Sequence, residues 1–209
     1  MGIKERKQRE KDLRRRQILE AAKELFMVKG FFATMEDIAN KAELNPATIY
    51  RYFTDKDHLH ASLSLESLQH LVEKIKEIQG NKRISVESKI RRFKEALYKN
   101  YKSDPQLFRN FLQFQLGTDF QSVNRDALNQ NNGLYRKLLG MFADVYEEGV
   151  RQGKFRTGNK MAHADIILGC FIGLVLWEDA KNRIDPKKDF IHSTLDKAFE
   201  IFIEGIKKA

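Results

Sequence analysis

The sequence predicts an all-α protein in two parts. An N-terminal three-helix domain containing a helix-turn-helix spans residues 1–58, and a larger C-terminal helical bundle spans residues 59–209, about nine helices in all. Apolar residues recur at steps of three and four along most of the chain, the period of an amphipathic helix. The three prolines, Pro46, Pro105 and Pro186, stand where helices start rather than inside them. Between residues 34 and 52 two short helices follow one another, too short to bury their apolar faces alone. They pack steeply on the longer helix before them and leave the outer face of the second exposed. That is helix-turn-helix geometry, whose second helix enters a DNA major groove.

The elements follow in order. From Asp12, the residues Ile18, Ala22, Leu25 and Phe26 form one stripe, and Gly30 stops that helix. Thr34 opens the second helix, where Glu36 and Asp37 suit the positive end of the helix dipole; Ile38, Ala39 and Ala42 are its buried face. Glu43 and Leu44 break the chain. Asn45 then caps a third helix, with Pro46 in its first position, running to Tyr52 and burying Ile49 and Phe53. Thr54 starts a fourth helix, with Asp57 completing a shortened capping box, and Leu59, Leu63, Leu68, Leu71 and Ile75 carry it to about Gln79. Five further helices are expected: Val86 to Tyr101, Asp104 to Leu116, Asn124 to Gln152 with Gly133 as a candidate break, Asn159 to Ala180, and Pro186 to Lys207.

Of 209 residues, 42% are hydrophobic and 32% charged, which excludes a disordered or low-complexity chain. A single cysteine, Cys170, forbids an intrachain disulfide and gives no reason to expect an oxidising compartment. Residues 1–16 are charged throughout and lack the apolar stretch of a signal peptide. The longest near-continuous apolar run, Ile166 to Trp177, has twelve residues, short of the roughly 20 a membrane span needs. A cytoplasmic protein without a membrane segment is therefore expected. The net charge of +9 admits a polyanionic partner, and its placement says more. Residues 1–16 hold eight Lys/Arg against three acids, a net +5. This segment reads either as a solvated tail, disordered or a frayed helix, or as a basic arm that neutralises phosphates.

Residues 17 to 59 resemble the DNA-binding domain of the TetR (tetracycline-repressor-like) transcriptional regulators. The resemblance rests on Ile18, Ala21, Ala22, Leu25, Phe26 and Gly30, on the run Thr34 to Ala39, and on Ala42 and Leu44. Its most specific stretch is Thr48-Ile49-Tyr50-Arg51-Tyr52-Phe53-Thr54-Asp55-Lys56-Asp57-His58-Leu59. Glu43 stands where the family usually has Gly, a cost of roughly 1 kcal/mol if that residue is left-handed. Ala47 stands where Gly is frequent, which is harmless in a helix.

The resemblance implies Tyr50 and Lys56 as phosphate contacts. Lys56 in a first helical turn opposes the dipole, so stability does not explain it. Thr34 caps its helix and is placed to bring that helix end to a phosphate. Base reading falls to the exposed start of the third helix: Asn45, Pro46, Ala47, Thr48 and Arg51, the last equally suited to guanine or to phosphate. Met35 and Glu36 complete the candidate contacts; Glu36 either accepts from cytosine or merely serves the dipole. A single such domain binds weakly, so two copies on a palindromic operator are expected.

Residues 60–209 carry 25 Lys/Arg and 19 acids, so the excess charge is not confined to the DNA end. The segment Ile166 to Val175 is apolar nearly all round and needs covering on every side. With the last helix it is the expected dimer interface, through Ile167, Phe171, Leu174, Phe190, Leu195, Phe199 and Phe202. Gly169 and Gly173, four apart, permit close helix approach. The run Glu148 to Phe155 also resembles the family, in which a Gly turn precedes the last two helices. The family further implies an effector pocket. Phe93, Tyr101, Phe108, Phe111, Phe114, Tyr135, Phe142, Tyr146 and Trp177 are its candidate lining, or alternatively plain core, and suit an apolar or aromatic effector.

No catalytic pattern stands beside these readings. His58, His60, His70, His163 and His192 show no chelating spacing, no phosphate or dinucleotide loop occurs, and Cys170 sits in an apolar helix. The sequence therefore predicts a ligand-responsive DNA-binding repressor, homodimeric, without cofactor or metal, and not an enzyme. The alternative is a helical ligand-binding or protein-interaction module without specific DNA binding.

Overall fold

A computed structural model describes residues 2–29, 32–105, 108, 125–182, 184 and 189–208. Among them stand eight helices: α1 (Ile3–Lys29), α2 (Met35–Lys41), α3 (Pro46–Tyr50), α4 (Lys56–Gly80), α5 (Val86–Ser103), α6 (Arg125–Arg151), α7 (Lys160–Asn182) and α8 (Ile191–Ile206). Gly30, residues 106–107 and 109–116 of the helix expected from Asp104 to Leu116, with Phe111 and Phe114, and Pro186 lie outside the described residues. The chain divides into two compact units, Met1–Ser67 with Asp104–Asn131, and Leu68–Ser103 with Asn132–Ala209.

In the first unit α1 begins at Ile3, nine residues before the expected start, so the basic segment is helical rather than frayed. Lys, Arg, Glu and Gln are good helix formers, and no Gly or Pro interrupts residues 3–29. Local pairs add to this: the Gly2 amide donates to Glu5 at 2.9 Å, and the Gln8 amide to Asp12 at 2.9 Å. Only the later turns of α1 are buried, through Ile18, Leu19, Ala21, Ala22 and Phe26. These meet Ile38, Ala39, Ile49, Phe53 and Leu59, all fully buried, in a single core.

α2 packs on α1 and on α3. A reciprocal capping box starts α2: Thr34 Oγ1 accepts from the Asp37 amide and Asp37 Oδ2 from the Thr34 amide, each at 3.0 Å. Asp37 also accepts from the Lys29 ammonium at 2.8 Å. The lysine first, then the Thr34 amide, holds this carboxyl at about 2 against an ordinary 3.8. A depressed carboxyl contributes stability above its unfolded value and loses it as pH falls toward 2. Wild-type protein should therefore lose α2 helicity between about pH 4 and pH 2, and Asp37→Asn should lack that transition. Circular dichroism, with NMR titration of the Asp37 carboxyl, checks both; a midpoint near 4 would refute it.

The turn after α2 is closed by the Glu43 amide donating to Asn40 O and the Leu44 amide to Ala39 O. Glu43 is the residue that turns left-handed, at φ 54°, as the resemblance suggested for a Gly position. Asn45 Oδ1 accepts from the Ala47 amide at 2.9 Å and caps α3, with Pro46 in the first turn. The start of α4 differs from expectation. Asp55, not Thr54, is the side chain that caps it, accepting from the His58 amide at 2.7 Å, while Thr54 donates its hydroxyl to Asp55.

In the second unit, α5 buries Val86, Ile90, Phe93, Leu97 and Tyr101 on one face and packs on α8, which in turn packs on α7. α6 runs unbroken through Gly133. One helical glycine costs only about 1 kcal/mol, and the buried face from Leu138 to Tyr146 outweighs it. After α6 the chain reverses at Gly153, φ 70°. Phe155 then folds back onto Gly149, where a Cβ would lie 2.0 Å from its ring, so only glycine fits there. Backbone bonds Arg156 to Ile206 and Lys208 to Lys154 tie this reversal to the end of α8.

Candidate nucleic-acid interface and effector unit

The candidate DNA contacts belong to the surface of the first unit. Thr34, Glu36, Asn45, Pro46, Ala47 and Arg51 are not buried, and Tyr50 is 53% exposed because it flanks the buried Ile49 instead of sharing its face. Thr48 and Lys56 are likewise outside the core. Met35 is different: it packs partly against the core, which gives it a packing role. Thr34 and Asn45 spend their side-chain oxygens on capping, which fixes the starts of α2 and α3. Tyr52, absent from the predicted set, sits half-buried against the core.

In the second unit Phe93, Tyr101, Phe142 and Tyr146 are buried. Phe93 meets Phe142 edge to face at 4.5 Å, and the Tyr146 hydroxyl donates to Arg156 O at 2.7 Å. Tyr135 is half-buried, and burial pushes its phenol well above the ordinary value. Phe108 falls within Asp104–Asn131 and so belongs to the other unit. Trp177 is 62% exposed and stands on the outside of α7, which removes it from any enclosed lining.

The helices expected to dimerise are amphipathic in a way the sequence hides. Ile167, Phe171, Leu195 and Phe199 are at most 2% exposed within one chain, so their side chains have no surface left for a second copy. Leu174 and Phe202 are half-buried, and Phe190 is exposed. The apolar surface of α7 lies elsewhere, on Ile166, Leu176 and Trp177, with Gly169 and Gly173 on the same open side. Ile201 adds to it on α8. Each of these two helices thus sets a core stripe, which takes Ile167, Phe171, Leu195 and Phe199, against an open one, and of the residues assigned from sequence Leu174, Phe190 and Phe202 keep open surface. At 23 residues, α7 is also long and apolar enough by composition to cross a membrane, beyond the twelve-residue run counted in the sequence. Core helices of soluble proteins meet the same test.

Residues 18–63 match the profile of the bacterial regulatory proteins of the tetR family, and residues 87–208 match the C-terminal region of QacR-like proteins. The chain belongs to the TetR family. It is similar to an uncharacterized HTH-type transcriptional regulator, YvkB, of Bacillus subtilis strain 168, at 26% identity over 91% of this chain and 96% of the relative. Among solved structures, the TetR-family regulator PfmR of Thermus thermophilus shares the fold at TM-score 0.69 and 21% identity, covering 92% of this chain and 96% of that one. The regulator FadR of Bacillus subtilis, solved with stearoyl-CoA, matches at TM-score 0.68 and 20% identity, covering 91% and 98%. TetR-family proteins are transcription regulators that bind DNA and small-molecule effectors.

Two features of this TetR-family chain are invisible to spacing arguments. Glu178 is 2% exposed on the buried stripe of α7, with Oε1 held by Lys181 and Oε2 without a hydrogen-bond partner. A charged residue in an apolar helix gives no signal that it will face inward. Glu95, His192 and Asp196 bring three ligand-type atoms within 4.8 Å of one another from α5 and α8. Lys94, only 5% exposed, places its ammonium on both Glu95 and Asp196 and so supplies the positive charge there itself. Burial raises the Cys170 thiol, which suits packing rather than reaction.

Proposed function

We propose that this TetR-family protein is a homodimeric repressor that binds a palindromic operator and is released by a small apolar or aromatic effector. The observation that carries this reading is the helix-turn-helix itself: α2 and α3 locked by side-chain caps, with Tyr50, Arg51 and the start of α3 held outside the core. In this reading residues 1–58 bind DNA and residues 59–209 bind effector and partner. Tyr50 and Lys56 hold phosphates, and Asn45 to Thr48 meet base edges. The open side of α7, with Ile166, Gly169, Gly173, Leu176 and Trp177, is covered by a second copy rather than by lipid, and the protein is cytoplasmic. Effector binding favours a dimer whose recognition helices no longer match major grooves about 34 Å apart. The aromatic cluster around Phe93 and Phe142 supports an apolar effector. The acyl chain bound by FadR is one example of that chemistry in a structural relative. The reading involves no cofactor and no catalysis.

The test is a fluorescence-anisotropy titration on duplex DNA from upstream of the protein's own gene, against a scrambled duplex. The wild type should prefer the upstream DNA and lose affinity steeply with salt. Tyr50→Phe and Lys56→Ala should weaken both duplexes alike, while Ile166→Asp should give a monomer by light scattering and lose the operator. Equal affinity for both duplexes would leave only a ligand-binding or protein-interaction module.

A further inference from the structure

Residues 3–13 of α1 are exposed throughout, yet their charges are ordered. Lys4, Lys7, Lys11 and Arg14 follow at the same steps of three and four that carry Ile18, Ala22 and Phe26 into the interior, with Arg15 beside Arg14. A helix that keeps its register therefore continues its buried stripe as a basic stripe, on the side that faces the helix-turn-helix. The register is fixed where the two stripes join. The Arg15 guanidinium lies 5.3 Å over the Phe53 ring, the Gln17 amide donates to Ala42 O at 2.8 Å, and Arg14 donates to Gln17 at 3.0 Å.

Between this stripe and α3 runs an open cleft of about 700 Å³. Lys7, Lys11 and Arg14 line one wall, with Glu10 beside them, and Thr48, Arg51 and Tyr52 line the other. Four basic groups thus face one acid. Among the described residues no carboxylate lies within ion-pair distance of Lys7, Lys11 or Arg51, and with Glu10 alone against four cations the cleft keeps a net positive charge. Lys4 to Arg14 spans ten residues, about 15 Å of helix, and a DNA strand presents a phosphate about every 3.4 Å along its axis. A row of cations this long fits a row of phosphates, not a single small anion.

We propose that the N-terminal four turns of α1 and Arg51 together clamp the sugar–phosphate backbone of one DNA strand beside the groove that α3 enters. Arg51 is then a phosphate ligand and not a reader of bases. This rests on the reading that α3 approaches DNA. It adds a second wall to the interface and assigns Arg51 one of its two suited partners.

The experiment compares wild type, Lys4→Ala/Lys7→Ala/Lys11→Ala and Arg51→Ala on operator and scrambled duplexes between about 50 and 200 mM salt. Alanine keeps the helix, which circular dichroism verifies. Each lost phosphate contact removes about 0.9 from the slope of log affinity against log salt. The triple variant should therefore lose about 2.7 of slope on both duplexes, making it about 40-fold less salt-sensitive over that range. Arg51→Ala should lose about 0.9 and keep the wild-type ranking of single-base operator variants. An unchanged slope in the triple variant overturns the clamp, and a changed base ranking in Arg51→Ala overturns its phosphate role. Wild-type protein that does not distinguish operator from scrambled DNA refutes the operator reading instead, because the slope loss is read on either duplex.

Discussion

Phe53→Ala should unfold the helix-turn-helix and abolish DNA binding. Phe53 has no exposed surface and is the side chain on which α1, α3 and α4 converge. Arg15 stacks over one side of its ring, and His58 meets it at 5.3 Å edge to face. Truncating a buried phenylalanine costs about 3–5 kcal/mol, counting the lost burial and the cavity left behind. The cavity cannot collapse easily, because α2 and α3 are pinned by their own caps. Against a domain stability of roughly 5–15 kcal/mol, such a loss decides folding. Hydrogen exchange should show protection lost in α1–α3, and urea melts should shift accordingly. Phe53→Leu keeps most of the volume and should cost about 1–1.5 kcal/mol, with DNA binding retained. Native protection in the alanine variant would show that this core does not depend on the ring.

Glu148→Ala should be the most damaging charge removal in the second unit. Lys89 on α5 is 2% exposed, and its ammonium donates to both oxygens of Glu148 on α6, at 3.0 and 2.7 Å. Glu148 is 30% exposed. The pair is therefore asymmetric. Without Glu148, an ammonium is left buried without its partner, which costs about 3–5 kcal/mol. Without Lys89, as in Lys89→Met, the carboxylate turns to water and the loss is smaller. The double variant Lys89→Met/Glu148→Leu should recover much of the stability, since an apolar pair of similar size carries no desolvation penalty. Chemical denaturation of wild type and the three variants checks this. A double variant no more stable than Glu148→Ala would show that the charges hold the helices by more than mutual compensation.

Residues that act through local chemistry are legible in the sequence. Thr34 and Asn45 announce helix starts because a short polar side chain can reach an orphan amide two or three residues on. Glu43 betrays its left-handed turn by standing at a Gly position, and Ile90, Phe93, Leu97 and Tyr101 declare one face by spacing. Errors arise where two local signals compete. Thr54 and Asp55 are both good caps, and only the register of α4 selects Asp55. Gly133 reads as a break until the packed face beyond it is weighed. The segment before Asp12 has no apolar residue beyond Met1 and Ile3 and so reads as frayed, although its residues favour helix in their own right.

The helices, the helix-turn-helix and the family follow from residue order alone, because periodicity, caps and the Thr48 to Leu59 string are properties of neighbouring residues. Which side of α7 is inside follows only from the packed molecule. α7 is apolar on almost every side, so its residue order cannot say that Ile167 and Phe171 face the core while Ile166 and Trp177 face outward. Nor can it say that Lys89 and Glu148, 59 residues apart, meet. It is equally silent on the basic stripe of α1 sharing a cleft with Arg51. Burial and charge pairing between distant segments depend on where helices cross. That crossing is fixed by packing the whole core at once, not by any local run of residues.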